Sequence, residues 1–431
     1  MDPTEKKWID KYIELRSVYD FSAKLNHKLS FEKKLYKYLQ PSGIIYGHPI
    51  DLPKEIEIDT TAWPVKERLQ VILFESLLAS YLLKNNFKGS IAELNSAVIE
   101  IESFYNKTST HLTKKSFFES SNRSEAQILE KLFAKRVSVK AEWNSNFWQG
   151  FFHNILLFGD VIVFVEYLNN PKLTSKDLMD YLRNMHIQII HLLSINLNIN
   201  KDTKEINVKY FQYFVESTIL NKQDKKDASN WHKASYESKF QYNYNKTAWL
   251  KRKYLLDLVA LSVWADKSVS LLEKEMMAEL AQRLSLDKIE LDESGFAVES
   301  FVLCNWNKVH YLQKKQTYLV LSKRIIRRLQ NIIEKYSGFI KTEIAENKEL
   351  IALLKTSQER NLSIEEKNIV RMQLVDILKF VPTFAMLAMP MPLLTIPILL
   401  KILPNEMFPS SFNPNSLTVP RNLKRNNIIE G

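Results

Sequence analysis

The side chains able to do chemistry are few and scattered. The eight histidines are His27, His48, His111, His153, His186, His191, His232 and His310, and none makes an i,i+4 metal pair. His186 and His191 are five apart and fall on different sides of a helix, so core or surface positions explain them better than a ligand set. The single cysteine, Cys304, follows Phe301-Val302-Leu303 and has no second thiol to pair with, which reads as a buried thiol in a reducing compartment. No histidine is placed to activate it as a nucleophile. Asp266 and Glu273 could offer oxygen ligands to Ca²⁺ or Mg²⁺. A capping box explains the same spacing more simply, with Ser270 as N-cap and Glu273 three residues on, and Lys267 puts a positive charge beside any cation. Trp231-His232-Lys233 and Tyr242-Asn243-Tyr244-Asn245-Lys246 mix rings and cations that could stack on bases. They lie in a polar stretch without further signals, and nucleic acid is not the expected partner. The expectation is a non-enzyme without a cofactor.

Composition narrows the fold. Glycine occurs only 8 times in 431 residues, too sparsely for a dinucleotide-binding loop, a phosphate-cradling loop, a nucleophile elbow or a turn-rich β fold. An all-α architecture remains. Lys and Arg total 60 against 49 Asp and Glu, a net charge of +11 that favours anionic surfaces, lipid or nucleic acid. The opening Met1-Asp2-Pro3-Thr4-Glu5-Lys6-Lys7 has no apolar core of a signal peptide, so the bulk of the chain is expected in the cytoplasm.

The elements follow from periodicity. Pro64 begins a helix in which Leu69, Leu73, Leu77 and Tyr81 share one face. Further helices are predicted over 90–105 and 174–196, and Phe147 to Leu168 reads as a buried core helix because it contains His153, Asp160 and Glu166. Asn221 to Lys246 is nearly free of aliphatic residues and reads as a linker. Helices are predicted again over 250–265 and 271–284. A long helix is predicted from about Tyr311 to Lys355, with Ile325, Ile326, Leu329, Ile332, Ile333 and Tyr336 opposite Lys323, Arg324, Arg327, Arg328 and Lys335. This basic face reads as solvated packing, with a membrane surface as the alternative. Ser363 and Glu366 then form a capping box for the next helix.

From Phe380 to Leu400 run 21 residues without a charge. As one helix they would span ~31 Å, close to the ~30 Å hydrocarbon core of a bilayer. Ten of them are Leu, Ile, Phe or Val, a gain of about 3–6 kcal/mol on the insertion scale. Pro382, Pro390, Pro392 and Pro397 oppose this at up to ~3 kcal/mol each. A kinked span or a helix–break–helix element is therefore expected, with a buried soluble helix pair as the alternative.

This stretch resembles a family signature. Asp376-Ile377-Leu378-Lys379-Phe380-Val381-Pro382, then Pro390, Pro397, Lys401, Pro404-Asn405 and Pro409-Ser410-Ser411-Phe412, is similar to the pattern of the LETM family, the leucine-zipper and EF-hand-containing transmembrane proteins. The prolines reproduce the family's intervals, with one residue inserted between Pro404 and Pro409. The resemblance implies a membrane segment bearing Asp376, Lys379, Pro382, Pro390, Pro392, Pro397, Lys401, Pro404, Asn405, Pro409 and Phe412. The family's intramembrane glutamate corresponds to Leu393 here, which argues against cation/proton exchange. Only 19 residues follow Phe412, which weakens the implied ribosome association. A second resemblance, to the TerB helical module, rests on Ala265-Asp266-Lys267-Ser268-Val269-Ser270-Leu271-Leu272-Glu273.

The expected organisation is a helical domain over 1–220, a polar linker over 221–247, a TerB-like module over 248–305, basic amphipathic helices over 306–373, a LETM-like membrane segment over 374–412 and a basic tail over 413–431. The expected function is a membrane-anchored, non-enzymatic scaffold or ion and membrane homeostasis factor in a bacterial inner membrane, of the LETM-related type linked to biofilms. The alternatives are a ribosome-binding LETM-domain factor or part of an oligomeric cation transporter. The partners implied are the lipid bilayer, the ribosome and further copies of the chain.

Overall fold

The structure, a computed structural model, describes residues 1–19, 29–49, 51–53, 56, 58–60, 62–108, 124–138, 147–199, 205–231, 247–264, 271–304, 326–327, 329–331, 333–379, 399–400, 402–403 and 407–408. The regular elements among the described residues are all helical. In order they are α1 (Trp8–Arg16), α2 (Phe31–Leu39), α3 (Val65–Asn85), α4 (Ile91–Thr108), α5 (Glu125–Arg136), α6 (Phe147–Asn169), α7 (Ser175–Ile199), α8 (Glu205–Ser217), α9 (Lys222–Ala228), α10 (Trp249–Trp264), α11 (Leu271–Arg283), α12 (Lys288–Cys304), α13 (Ser337–Glu346), α14 (Lys348–Glu359) and α15 (Ile364–Lys379). Two 3₁₀ turns, Gln40–Ser42 and Ile44–Tyr46, follow α2. The chain divides into two units, Met1–Ser294 and Gly295–Gly431.

In the first unit, α3 and α6 are core helices. Pro64 caps α3, where its missing N–H costs nothing, and Leu69, Leu73 and Leu77 are buried with Tyr81 half-buried. The buried surface of α3 is wider than that one face: Gln70, Val71, Ile72, Phe74, Glu75 and Ser76 are also enclosed. Trp8 of α1 meets Phe74 edge to face at 5.6 Å between ring centres, and Phe133 of α5 closes on Phe74 at 5.7 Å. The window Phe152–Asn169 of α6 is, among the described residues, the one helical stretch long and apolar enough to cross a membrane, with 67% of it buried. That burial agrees with a core helix. Gly47 ends the second 3₁₀ turn at φ +70°, and a Cβ there would stand 2.7 Å from the Ile155 backbone nitrogen. Only glycine lets this turn lie directly on α6.

Two sequence expectations are corrected. The stretch read as a linker is helical over its first part. Asn221 accepts from the Asp224 N–H at 2.8 Å and so starts α9, Arg183 of α7 pairs with Asp224 at 2.6 Å, and Ala228 is fully buried. Low aliphatic content hid a short capped helix held by polar contacts. The single long helix predicted to Lys355 is broken between α13 and α14. Asn347 takes a non-helical ψ of 94°, and its side chain accepts from the Leu350 N–H at 2.9 Å. An asparagine that bonds its own local backbone ends one helix and caps the next. Upstream, Leu329 and Ile333 are buried while Arg327 and Lys335 are exposed, matching the apolar and basic sides read from the sequence.

α13, α14 and α15 pack on one another in the second unit through Ile340, Ile344, Leu350, Leu354, Val370 and Leu374, all buried. The capping box of α15 is formed. Glu366 N–H donates to Ser363 Oγ at 3.2 Å, and Ser363 N–H donates to the Glu366 carboxylate at 2.8 Å. Arg360 adds a two-pronged contact to the same carboxylate at 2.8 and 2.6 Å, and with the cap holds its pKa down at about 2. Ser363→Ala is expected to weaken the first turn of α15 by ~1 kcal/mol. Amide hydrogen exchange at Glu366 should accelerate about five-fold, and unchanged exchange would count against the box.

Candidate functional site

Three carboxylates sit inside apolar helices of the first unit, each ringed by tyrosines and one cation. Glu75 of α3, fully buried, accepts from Tyr12 at 2.9 Å, from Tyr38 at 2.7 Å and from Arg16 Nε at 3.2 Å. Arg16 is 1% exposed, and a second nitrogen donates to the Tyr19 carbonyl at 3.0 Å. Asp160 of α6 accepts from Arg136 in a fork at 2.8 Å for each arm, and from Tyr105 at 3.0 Å. Asp257 of α10 accepts from Lys253 at 2.6 Å, Ser294 at 2.5 Å, Tyr36 at 2.7 Å and Tyr46 at 3.2 Å. These contacts connect α1, α2 and the turn after it to α3 and α10, and α4 and α5 to α6.

Burial moves the titrations of these groups far from solution values. It raises Tyr12, Tyr36, Tyr38, Tyr46 and Tyr105, and the neighbouring carboxylate raises each further. The phenols therefore remain neutral donors. For Arg16, burial alone would disfavour the charge, but Glu75 outweighs it and the guanidinium stays protonated. His186 is 1% exposed, and burial lowers it to about 3. Its Nδ1 accepts from the Ile219 N–H at 3.2 Å, which leaves Nε2 protonated and buried without a partner among the described residues. With their oxygens taken up by several donors, the three carboxylates serve to hold helices together.

The acids predicted to bind a cation are divided by the structure. Glu273 lies in the first turn of α11 and is 1% exposed. Asp266 and the proposed cap Ser270 lie outside the described residues. Among the described residues, no group of three or more His, Cys, Asp or Glu side chains could hold a metal ion.

The C-terminal segment begins on α15. Asp376 is on the exposed side of this helix and Lys379 is its last residue, while Leu374, Val375, Ile377 and Leu378 are buried. Pro382, Pro390, Pro392, Pro397, Lys401, Pro404, Asn405, Pro409 and Phe412 lie outside the described residues. Between them, Leu399, Ile402, Leu403, Met407 and Phe408 are all buried, none more than 5% exposed. Residues 362–427 match the family model described as LETM1-like, RBD. This segment is LETM1-like. The match opens at Leu362, beside the capping box, and runs into the basic tail with Arg421, Lys424 and Arg425. The LETM1-like region is thus longer than the signature read from Asp376 to Phe412. It also carries the ribosome-binding designation that the short tail had seemed to weaken. No curated protein and no solved structure matches the chain.

The buried networks were the features that sequence reading missed. Their one local sign is a lone acid inside an apolar run, as in Val71-Ile72-Leu73-Phe74-Glu75 and Leu255-Leu256-Asp257-Leu258-Val259.

Proposed function

We propose that the chain is a non-enzymatic, membrane-associated LETM1-like factor that docks on ribosomes through its C-terminal segment. The observation that carries this reading is the match of residues 362–427 to the LETM1-like RBD model. Charge supports it, because the net +11 suits a polyanionic partner and the matched range ends in Arg421, Lys424 and Arg425. The 21 uncharged residues within the same range support contact with lipid. Leu393, where the LETM pattern carries an intramembrane glutamate, removes the group that would carry a proton or cation, so docking is favoured over exchange.

Sedimentation with purified ribosomes tests the proposal. The full chain should pellet with ribosomes at ~50 mM salt and be released as salt rises, because phosphate contacts release counterions. Replacing Arg421, Lys424 and Arg425 by alanine should lower the slope of log affinity against log salt by about 2–3. A chain that stays in the supernatant at low salt would rule out the docking.

A further inference from the structure

Two buried lysines stand two residues apart on α10, and their surroundings differ. Lys253 is 3% exposed and fully paired, donating to Asp257 at 2.6 Å and to Ser294 at 2.5 Å. Lys251 is also 3% exposed, but its only polar neighbour at contact distance among the described residues is an aromatic face: its nitrogen lies 4.5 Å from the ring centre of Tyr181 on α7. The Tyr181 hydroxyl is itself enclosed and without a hydrogen-bond partner among the described residues. Two carboxylates act on this pair from a distance. Glu166 of α6 influences both Lys251 and Tyr181. Glu32 of α2 influences Tyr181, but its Oε2 accepts from the Leu250 N–H at 2.7 Å, at the start of α10.

Burying an ammonium without a counter-ion is costly, and so is burying a hydroxyl without an acceptor. Here both occur side by side. The stem of a lysine can line apolar surface, which accounts for the chain of methylenes but not for the two unmatched donors. A ligand oxygen would satisfy them, and with Glu166 already near, a neutral carbonyl suits the place better than an anion. We propose that Lys251 and Tyr181 form a covalent capture site for a small aldehyde or ketone, held as an imine on Lys251.

The neutral amine attacks the carbonyl carbon, a C–N bond forms, and the carbonyl π pair moves to the oxygen, which accepts from the Tyr181 hydroxyl. Proton transfer from nitrogen to oxygen gives the carbinolamine. Its C–O bond breaks, water leaves, and the remaining nitrogen proton passes to Glu166 or solvent. One carbonyl compound and one amine thus give one imine and one water, with no oxidant or reductant, and hydrolysis reverses the capture. Burial lowers the Lys251 amine to about 8, with Glu166 partly restoring it. At pH 7.5 about a quarter is then neutral, on the order of 200-fold more than for an exposed lysine.

The test uses the full chain, glycolaldehyde as the probe and cyanoborohydride to trap the imine, with peptide mass spectrometry reading each lysine. Lys251 should be modified at least ten-fold faster than the median surface lysine at pH 7.5, with a midpoint near pH 8. Tyr181→Phe should slow Lys251 more than five-fold and leave the surface lysines unchanged. A native chain in which Lys251 is modified no faster than the surface lysines overturns the proposal, and so does an unchanged Lys251 rate in Tyr181→Phe. Both readouts keep Lys251 in place, so neither depends on a variant that removes it.

Discussion

Glu75→Ala should unfold the first unit or bring it to the edge of unfolding. The substitution leaves the Arg16 guanidinium, 1% exposed, without its counter-ion and deprives the hydroxyls of Tyr12 and Tyr38 of their acceptor. Stranding one member of a buried ion pair costs about 3–5 kcal/mol, and the two lost acceptors add to this. The sum is comparable to the whole stability of an ordinary domain, about 5–15 kcal/mol. Thermal unfolding followed by circular dichroism reads the effect. The double variant Arg16→Met with Glu75→Leu should recover most of the loss, because apolar side chains of similar volume can replace a buried pair. A Glu75→Ala chain melting within a degree or two of the parent would show that the network contributes little.

Alkaline carbonate extraction should leave the full chain with the membrane and release a chain ending at Gln373. Within Phe380–Leu400, the ten Leu, Ile, Phe and Val residues favour insertion by about 3–6 kcal/mol. Placing arginine at both Leu387 and Leu394 costs about 5–7 kcal/mol on the same scale, enough to cancel it. The double arginine chain keeps every other residue, so its release reports on lipid contact alone. If the parent chain is itself extracted, the anchoring half of the proposed function fails while ribosome docking stands on its own test.

The readable parts of this molecule were those written locally. Pro64 with Leu69, Leu73 and Leu77 announced α3, and Ser363 with Glu366 announced the start of α15, because caps and helical faces involve neighbours three or four residues apart. The proline intervals from Pro382 to Pro404 pointed to the same family that the match over 362–427 shows. The polar networks were not legible, since Tyr36 reaches Asp257 across 221 positions and Arg16 reaches Glu75 across 59. A lone acid in an apolar helix says that a partner must exist without saying where it comes from. The break at Asn347 was hidden for a different reason. Apolar spacing continues on both sides of it, and only the side chain's bond to the Leu350 N–H reveals the interruption.

The contact from Arg360 to Glu366 bears on how this protein can be divided. The family match opens at Leu362, two positions after the arginine that grips the first turn of α15. A fragment cut at the matched boundary would discard that grip and begin on a frayed end. Expression designs for the C-terminal portion therefore gain from starting ahead of Asn347, so that the preceding hairpin arm travels with the piece it steadies.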